Sequence, residues 1–236
     1  MTTCSNVQMV QAKKETVSWS LLADSWSMLI LVTMAGGFAA SYSFLARGGV
    51  FAFAQTGNII YSGHALVGGG FWKIFTFLLP VLSYMGGLLT ARQLGRRFQE
   101  AATFQKLILL AEATLFLVTG LLPAGSLMTR ISLCLMGYAS GLQMETFHRL
   151  GEREYTCIMV MGNMKRTVDA FSCYLEHHKP ESLHKAWLYV LINGIFCLGS
   201  IFGYVLTQAQ GDSAILAPAF CFVLAAALLQ PSGGRQ

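Results

Sequence analysis

Two asparagines stand out as chemistry-bearing residues in a largely apolar chain. Gln55-Thr56-Gly57-Asn58 lies within an uncharged run, 48–72, and Val160-Met161-Gly162-Asn163 partly repeats it further along. A side-chain amide both donates and accepts hydrogen bonds, and glycine lets backbone approach backbone or ligand closely. Gln55, Thr56, Gly57, Asn58, Gly162 and Asn163 could therefore bind a small solute. If a short helix starts nearby, its free amides would favour an anion or a carboxylate. The same residues could equally cap a broken helix and satisfy its orphan backbone groups.

Three ionisable residues add candidates for ion or proton coupling. His64 follows Asn58 by six residues, and Asp169 follows Asn163 by six. In this register they are equivalent positions, and a His64–Asp169 pair would make a proton-coupling or gating element. The competing reading places them near opposite membrane faces, too far apart to meet. Glu112 lies in the otherwise apolar stretch 107–123. A carboxylate there is costly unless protonated or partnered, and Lys106 and Arg97 are within reach if it lies near the edge.

The elements that must position these residues follow from composition. The 236 residues are 54% hydrophobic and 11% charged, against roughly 25% charged in a soluble domain. Runs 26–46, 48–72, 74–91, 186–211 and 213–234 contain no Asp, Glu, Lys or Arg. A crossing helix needs roughly 20 apolar residues, so the lipid bilayer is the expected surrounding. Lys13 and Lys14 precede an apolar run without a small-residue cleavage site, so no cleaved signal is expected. The six cysteines show no CxxC pair and read as packing residues.

Eight apolar segments can be drawn: 26–46, 50–69, 74–93, 107–123, 129–146, 156–174, 187–207 and 212–230. If all eight cross, the 16 Lys and Arg residues divide without bias. If 50–69 and 156–174 instead dip in and return, only Arg47, Lys73 and Arg130 fall outside, leaving 16 − 3 = 13 at the cytoplasmic side. The positive-inside rule favours the second arrangement. Gly37-Phe38-Ala39-Ala40 resembles Gly137-Tyr138-Ala139-Ser140, with the longer second spacing assigned to an insertion at His148–Glu154. The expected fold is all-α: about six transmembrane helices plus two re-entrant segments in an inverted 3+3 repeat. Segment 1–25 would be cytoplasmic, 26–123 the first repeat, 129–230 the second, and 231–236 a cytoplasmic tail. Pro80 and Pro218 would kink their spans. Trp19, Trp26, Trp72 and Trp187 fall at expected membrane boundaries.

The run Gly36-Gly37-Phe38, Phe44-Leu45, Gly48-Gly49-Val50-Phe51 and Gln55-Thr56-Gly57-Asn58, with Gly141-Leu142-Gln143 and Gly162-Asn163, resembles the YoaK-like family of uncharacterised bacterial inner-membrane proteins. The resemblance covers nearly all of the chain after residue 25 and implies a cytoplasmic-membrane location. It adds Gln143 to the candidate substrate-binding residues. An Asp commonly follows the first Gly-aromatic pair in that family, where this chain has Ala40.

No nucleotide-binding loop, HExxH, GxSxG or metal-ligand cluster is present. No catalytic residue, metal, cofactor or nucleic-acid partner is expected, and the sequence assigns no oligomeric state. The first expectation is a small secondary transporter or permease for a solute or ion. An intramembrane enzyme or lipid-handling protein, and a non-transporting scaffold, are the alternatives.

Overall fold

The computed structural model describes residues 26–68, 70–98, 100–123, 125–150 and 153–229. The expected terminal segments 1–25 and 231–236 lie outside these. Eight helices make up nearly everything described: α1 Trp26–Ala46, α2 Gln55–Val67, α3 Phe71–Gly95, α4 Ala101–Leu121, α5 Ser126–Thr146, α6 Val160–His177, α7 Pro180–Gln210 and α8 Leu216–Leu228. A 3-10 turn, Gly211–Ile215, joins α7 to α8. A minimal hairpin, Arg149–Leu150 against Arg153–Glu154, precedes the second break.

Helix α1 coincides with its apolar run, whereas α3 and α7 continue past theirs into charged residues. Pro180 and Glu181 open α7, both favoured at a helix start, where a missing N–H is harmless and negative charge meets the positive dipole end. Four segments are long and apolar enough to cross a membrane: 26–46, 72–95, 101–121 and 180–228, the last holding α7, the turn and α8. Helix α5 has the 21 residues of α1, but Arg130, Ser132, Ser140, Gln143 and Glu145 lower its apolar content. Helix α2, with 13 residues, spans about 20 Å, short of the hydrocarbon core. Many large apolar side chains face outward, among them Ile59, Leu89, Leu121, Phe202 and Phe220. Trp26, Trp72 and Trp187 are exposed near the starts of α1, α3 and α7.

Glycines set the two closest helix pairs. A Cβ built on Gly37 would clash with the Phe196 carbonyl, one on Gly199 with the Met34 carbonyl, and one on Gly203 with that of Phe38. The Gly199–Gly203 element thus packs inside the bundle, joining α7 to α1 in parallel. The same packing recurs between α3 and α5, where Gly141 meets the Tyr84 carbonyl, Gly137 that of Pro80, and Gly87 that of Tyr138. Such contact is available only to residues without side chains. Helices α4 and α8 run antiparallel, with Gly120 against Ile215 and Leu216 and with Phe116 stacked on Phe222 at 5.7 Å.

Two sequence expectations change here. Matched by carbonyl contacts, Gly37 corresponds to Gly141, not Gly137. The offset is then 141 − 37 = 104, against 163 − 58 = 105 at the asparagines, so the inferred five-residue insertion shrinks to one. Pro218 does not interrupt a span. It is the third residue of α8, where its missing N–H falls among those without helical partners.

Opposite ends of the bundle are tied differently. Arg47, 1% exposed despite its charge, donates through Nη2 to the Thr119 carbonyl of α4 at 2.8 Å. Its Nη1 lies 3.5 Å from Asp212 in the 3-10 turn, and Nε and Nη2 both donate to Tyr42 Oη. Tyr42 Oη in turn donates to the Asp212 carbonyl at 2.8 Å. At the other end a two-point pair between Arg92 and Glu145, at 2.9 and 3.1 Å, joins α3 to α5.

Alanine at Gly37 or Gly141 would force a tight helix pair apart. Each is expected to lower unfolding stability in detergent by about 1–3 kcal/mol, the usual scale of overpacking. Gly63→Ala, where nothing lies within 4 Å of the added methyl, should leave the unfolding midpoint unchanged or raise it.

Candidate functional site

The candidate site consists of two interruptions, each closed by an asparagine. After α1, Gly48 and Gly49 both adopt positive φ, at 80° and 76°, turning the chain back toward the bundle. Residues Val50, Ala52 and Phe53 are buried. Ala52 receives a hydrogen bond at its carbonyl from Ser140 of α5 and donates its N–H to Ser43. Ser140 lies fourteen residues into α5, so the chain here sits about 21 Å from that helix's start. The Asn58 amide then meets the backbone of Phe51 twice: Oδ1 accepts from the Phe51 N–H at 3.2 Å, and Nδ2 donates to its carbonyl at 2.8 Å. This is the pairing a neighbouring β-strand would supply. Gln55 donates to the Ala52 carbonyl at 2.7 Å and accepts from Asn58 Nδ2 at 3.0 Å.

The second interruption repeats this arrangement. Asn163 Oδ1 accepts from the Thr156 N–H at 3.2 Å, and Nδ2 donates to the Thr156 carbonyl at 2.7 Å. Each asparagine engages the residue seven positions before it. Each also offers its own carbonyl to a hydroxyl four positions later, Ser62 in one case and Thr167 in the other, at 2.8 and 2.9 Å. The second copy adds Asn193 of α7, whose Oδ1 lies 3.3 Å from Asn163 Nδ2. Both asparagines are buried. Their first task is to satisfy backbone groups that water cannot reach.

The remaining candidates divide. Thr56 is exposed and has no hydrogen bond among the described residues, so it caps nothing. Gly57 lies against the Phe51 ring, and Gly162 beside Thr156 and Arg166. Gln143 is buried and donates to the Val32 carbonyl of α1 at 2.6 Å, with Gly36 directly beside its amide. Its Oε1 has no partner among the described residues. His64 and Asp169 do not form a pair. Asp169 is bound to Lys165 on its own helix at 2.6 Å, and His64 is exposed and edge-on to Tyr61. Glu112 is not an edge residue: it lies mid-helix in α4, fully buried, with neither carboxyl oxygen partnered among the described residues. Lys106 and Arg97 do not reach it.

A cleft of about 370 Å³ opens at the Arg92 end, lined by Tyr84, Arg92, His148, Thr156 and Arg166 among others. It reaches the second interruption at Thr156, the residue Asn163 holds. The hydroxyls at Ser62 and Thr167 were signalled by their common spacing after each asparagine. Nothing local signalled the cluster of buried Arg47 and Tyr42 with half-exposed Asp212, whose members meet across 165 residues (212 − 47). Gln105, Glu112 and Thr119, spaced by seven, form a buried polar stripe on α4, a periodicity visible in the sequence.

An apolar helical bundle with interrupted segments closed by side-chain amides is a helical membrane protein. The chain belongs to the family described as Protein of unknown function (DUF1275), which it matches over residues 28–228, in keeping with the YoaK-like resemblance. No curated protein and no solved structure matches it.

Asn58→Ala orphans the Phe51 N–H and carbonyl, and Asn163→Ala orphans those of Thr156. At about 1–3 kcal/mol for each unpaired buried group, either change is expected to lower unfolding stability by about 2–6 kcal/mol. Thr56→Ala should leave it unchanged, and thermal unfolding of the purified variants checks all three.

Proposed function

We propose that this protein is a small secondary transporter or permease of the cytoplasmic membrane, moving a solute or ion at the two interrupted segments. In this reading six helices cross, α2 and α6 re-enter, and the halves 26–123 and 129–230 are an inverted repeat. Supporting it are the matched asparagine geometry, the two parallel glycine pairs, and the placement of α1 with α7 and α3 with α5. Both termini lie inside. The Arg92 end is cytoplasmic, because Arg92, Arg96, Arg97, Lys106, Lys179 and Lys185 gather there, while Arg47, Lys73 and Arg130 mark the outer face.

The observation that carries the reading is the contrast between the two ends. One has a cleft that reaches an interrupted segment, and the other is closed by a buried arginine bound to three elements. A transporter presents its site to one side at a time, and this arrangement is open inward and sealed outward. In the cleft, Thr156, Arg166 and Tyr84 line the route, and Asn163 sets the position of the segment. Asn58, Gln55 and Gln143 hold the matching layer in the bundle centre. The intramembrane-enzyme and scaffold alternatives gain no comparable observation.

Purified protein in liposomes, assayed with a panel of radiolabelled amino acids, organic acids and monovalent ions, tests this. At least one panel member is expected to cross, with its flux reduced at least about tenfold when Asn163 is replaced by Leu, a side chain of similar size that can neither donate to the Thr156 carbonyl nor accept from its N–H. No flux above empty liposomes across the panel, from monodisperse protein, would overturn the reading.

A further inference from the structure

Among the described residues several buried polar atoms lack a hydrogen-bond partner, and Glu112 is the ionisable side chain among them. It lies eleven residues into α4 and nine from its end, about 17 and 14 Å from the two ends. Neither oxygen has a partner among the described residues. A structural carboxylate at this depth would be matched by a cation, as Arg47 is by Asp212. Among the described residues no charged side chain pairs with Glu112. The elements packed on α4 are α5, α8, the 3-10 turn and, lightly, α3. Their charged residues are engaged elsewhere or sit at the ends: Glu145 with Arg92, Asp212 with Arg47, and Arg130 near the start of α5, while α8 carries no charged residue. An ionised carboxylate left without a partner in such surroundings is strongly disfavoured.

Among the described residues one titratable group lies within electrostatic range of Glu112. Cys157, buried in the second interruption, interacts electrostatically with Glu112, and its thiol donates to the Gln143 carbonyl at 3.8 Å. The preceding residue, Thr156, lines the cleft at the Arg92 end. One residue of the interrupted segment therefore lines the cleft, and the next is buried within electrostatic range of Glu112.

We propose that Glu112 is a proton-binding site that loads and unloads through the second interruption, making this a proton-coupled transporter. A hydronium ion from the cleft gives its proton to a Glu112 carboxylate oxygen, leaving water and the neutral acid. Release reverses this when residues 155–159 move and admit water. The inference rests on the transport reading for its purpose, and names its coupling ion.

Two measurements on the full-length protein in lipid, neither needing the solute, test it. Infrared spectroscopy over roughly pH 5 to 9 should show a protonated-carboxyl band that shifts with ¹³C-glutamate labelling, fades at high pH and is missing from Glu112→Gln. A band unchanged in that variant, or one that never titrates, overturns the proposal. The isotope and titration readings use the unmutated chain and stand even if the variant misfolds. Second, Leu88→Cys in the cleft wall is labelled with a membrane-impermeant maleimide, with and without Glu112→Gln. The ratio of the two rates should change at least about threefold across that range, because protonation shifts the population of open forms. A flat ratio overturns the coupling. Protein that moves no solute yet passes both measurements keeps the proton site and loses the transport reading. Solute flux without a Glu112 signal does the reverse.

Discussion

The pairing of a side-chain amide with the backbone of a residue seven positions earlier underlies the rest of this structure. At membrane depth no water is present to satisfy an exposed N–H or carbonyl, and an irregular stretch there survives only if protein supplies the missing partners. Asn58 and Asn163 each supply both partners at once, imitating a β-ladder with a single side chain. With that need met, the chain can leave helical geometry before α2 and α6. The neighbouring helices then close around the irregular stretches, Ser140 onto Ala52 and Gly36 against Ile158. Without the amide pairing, these buried backbone groups would be left unpaired.

The interior treats its two charged residues in opposite ways. Arg47 is buried yet fully engaged, its guanidinium divided among a phenol, a carbonyl and a carboxylate on three elements. Breaking such an arrangement strands a charge in low dielectric, so it acts as a strong clamp whatever its net stabilising value. Glu112 is equally buried, and neither of its carboxyl oxygens has a partner among the described residues. The first is explained by architecture. The second suits the proposed exchange of a proton, which requires that no permanent partner hold the carboxylate.

Glycine determines how close the helices come, and closeness determines what reaches the centre. Because α1 and α7 touch carbonyl to glycine, as do α3 and α5, little room is left for side chains between them. Polar groups in the middle must therefore come from the interrupted segments and from α4 and α5. Gln143 shows the consequence. It reaches the Val32 carbonyl only because Gly36 leaves space.

The membrane class, the helix count, the short interrupted segments and the asparagines at them were legible from the chain alone. The reason is that lipid demands long uncharged runs, and an interruption within them demands a residue that can satisfy backbone. Local patterns of that kind carry their physics with them. Register and pairing were not local. Gly37 resembles Gly137 by its neighbours but packs as Gly141 does, since the deciding contact is a carbonyl on another helix. His64 and Asp169 each follow an asparagine by six residues yet do not pair, and Asp169 binds Lys165 one helical turn away. The burial of Arg47 and its meeting with Asp212 depend on contacts across 165 residues, being 212 − 47. Only the folded bundle decides which of its few polar groups are matched and which are not.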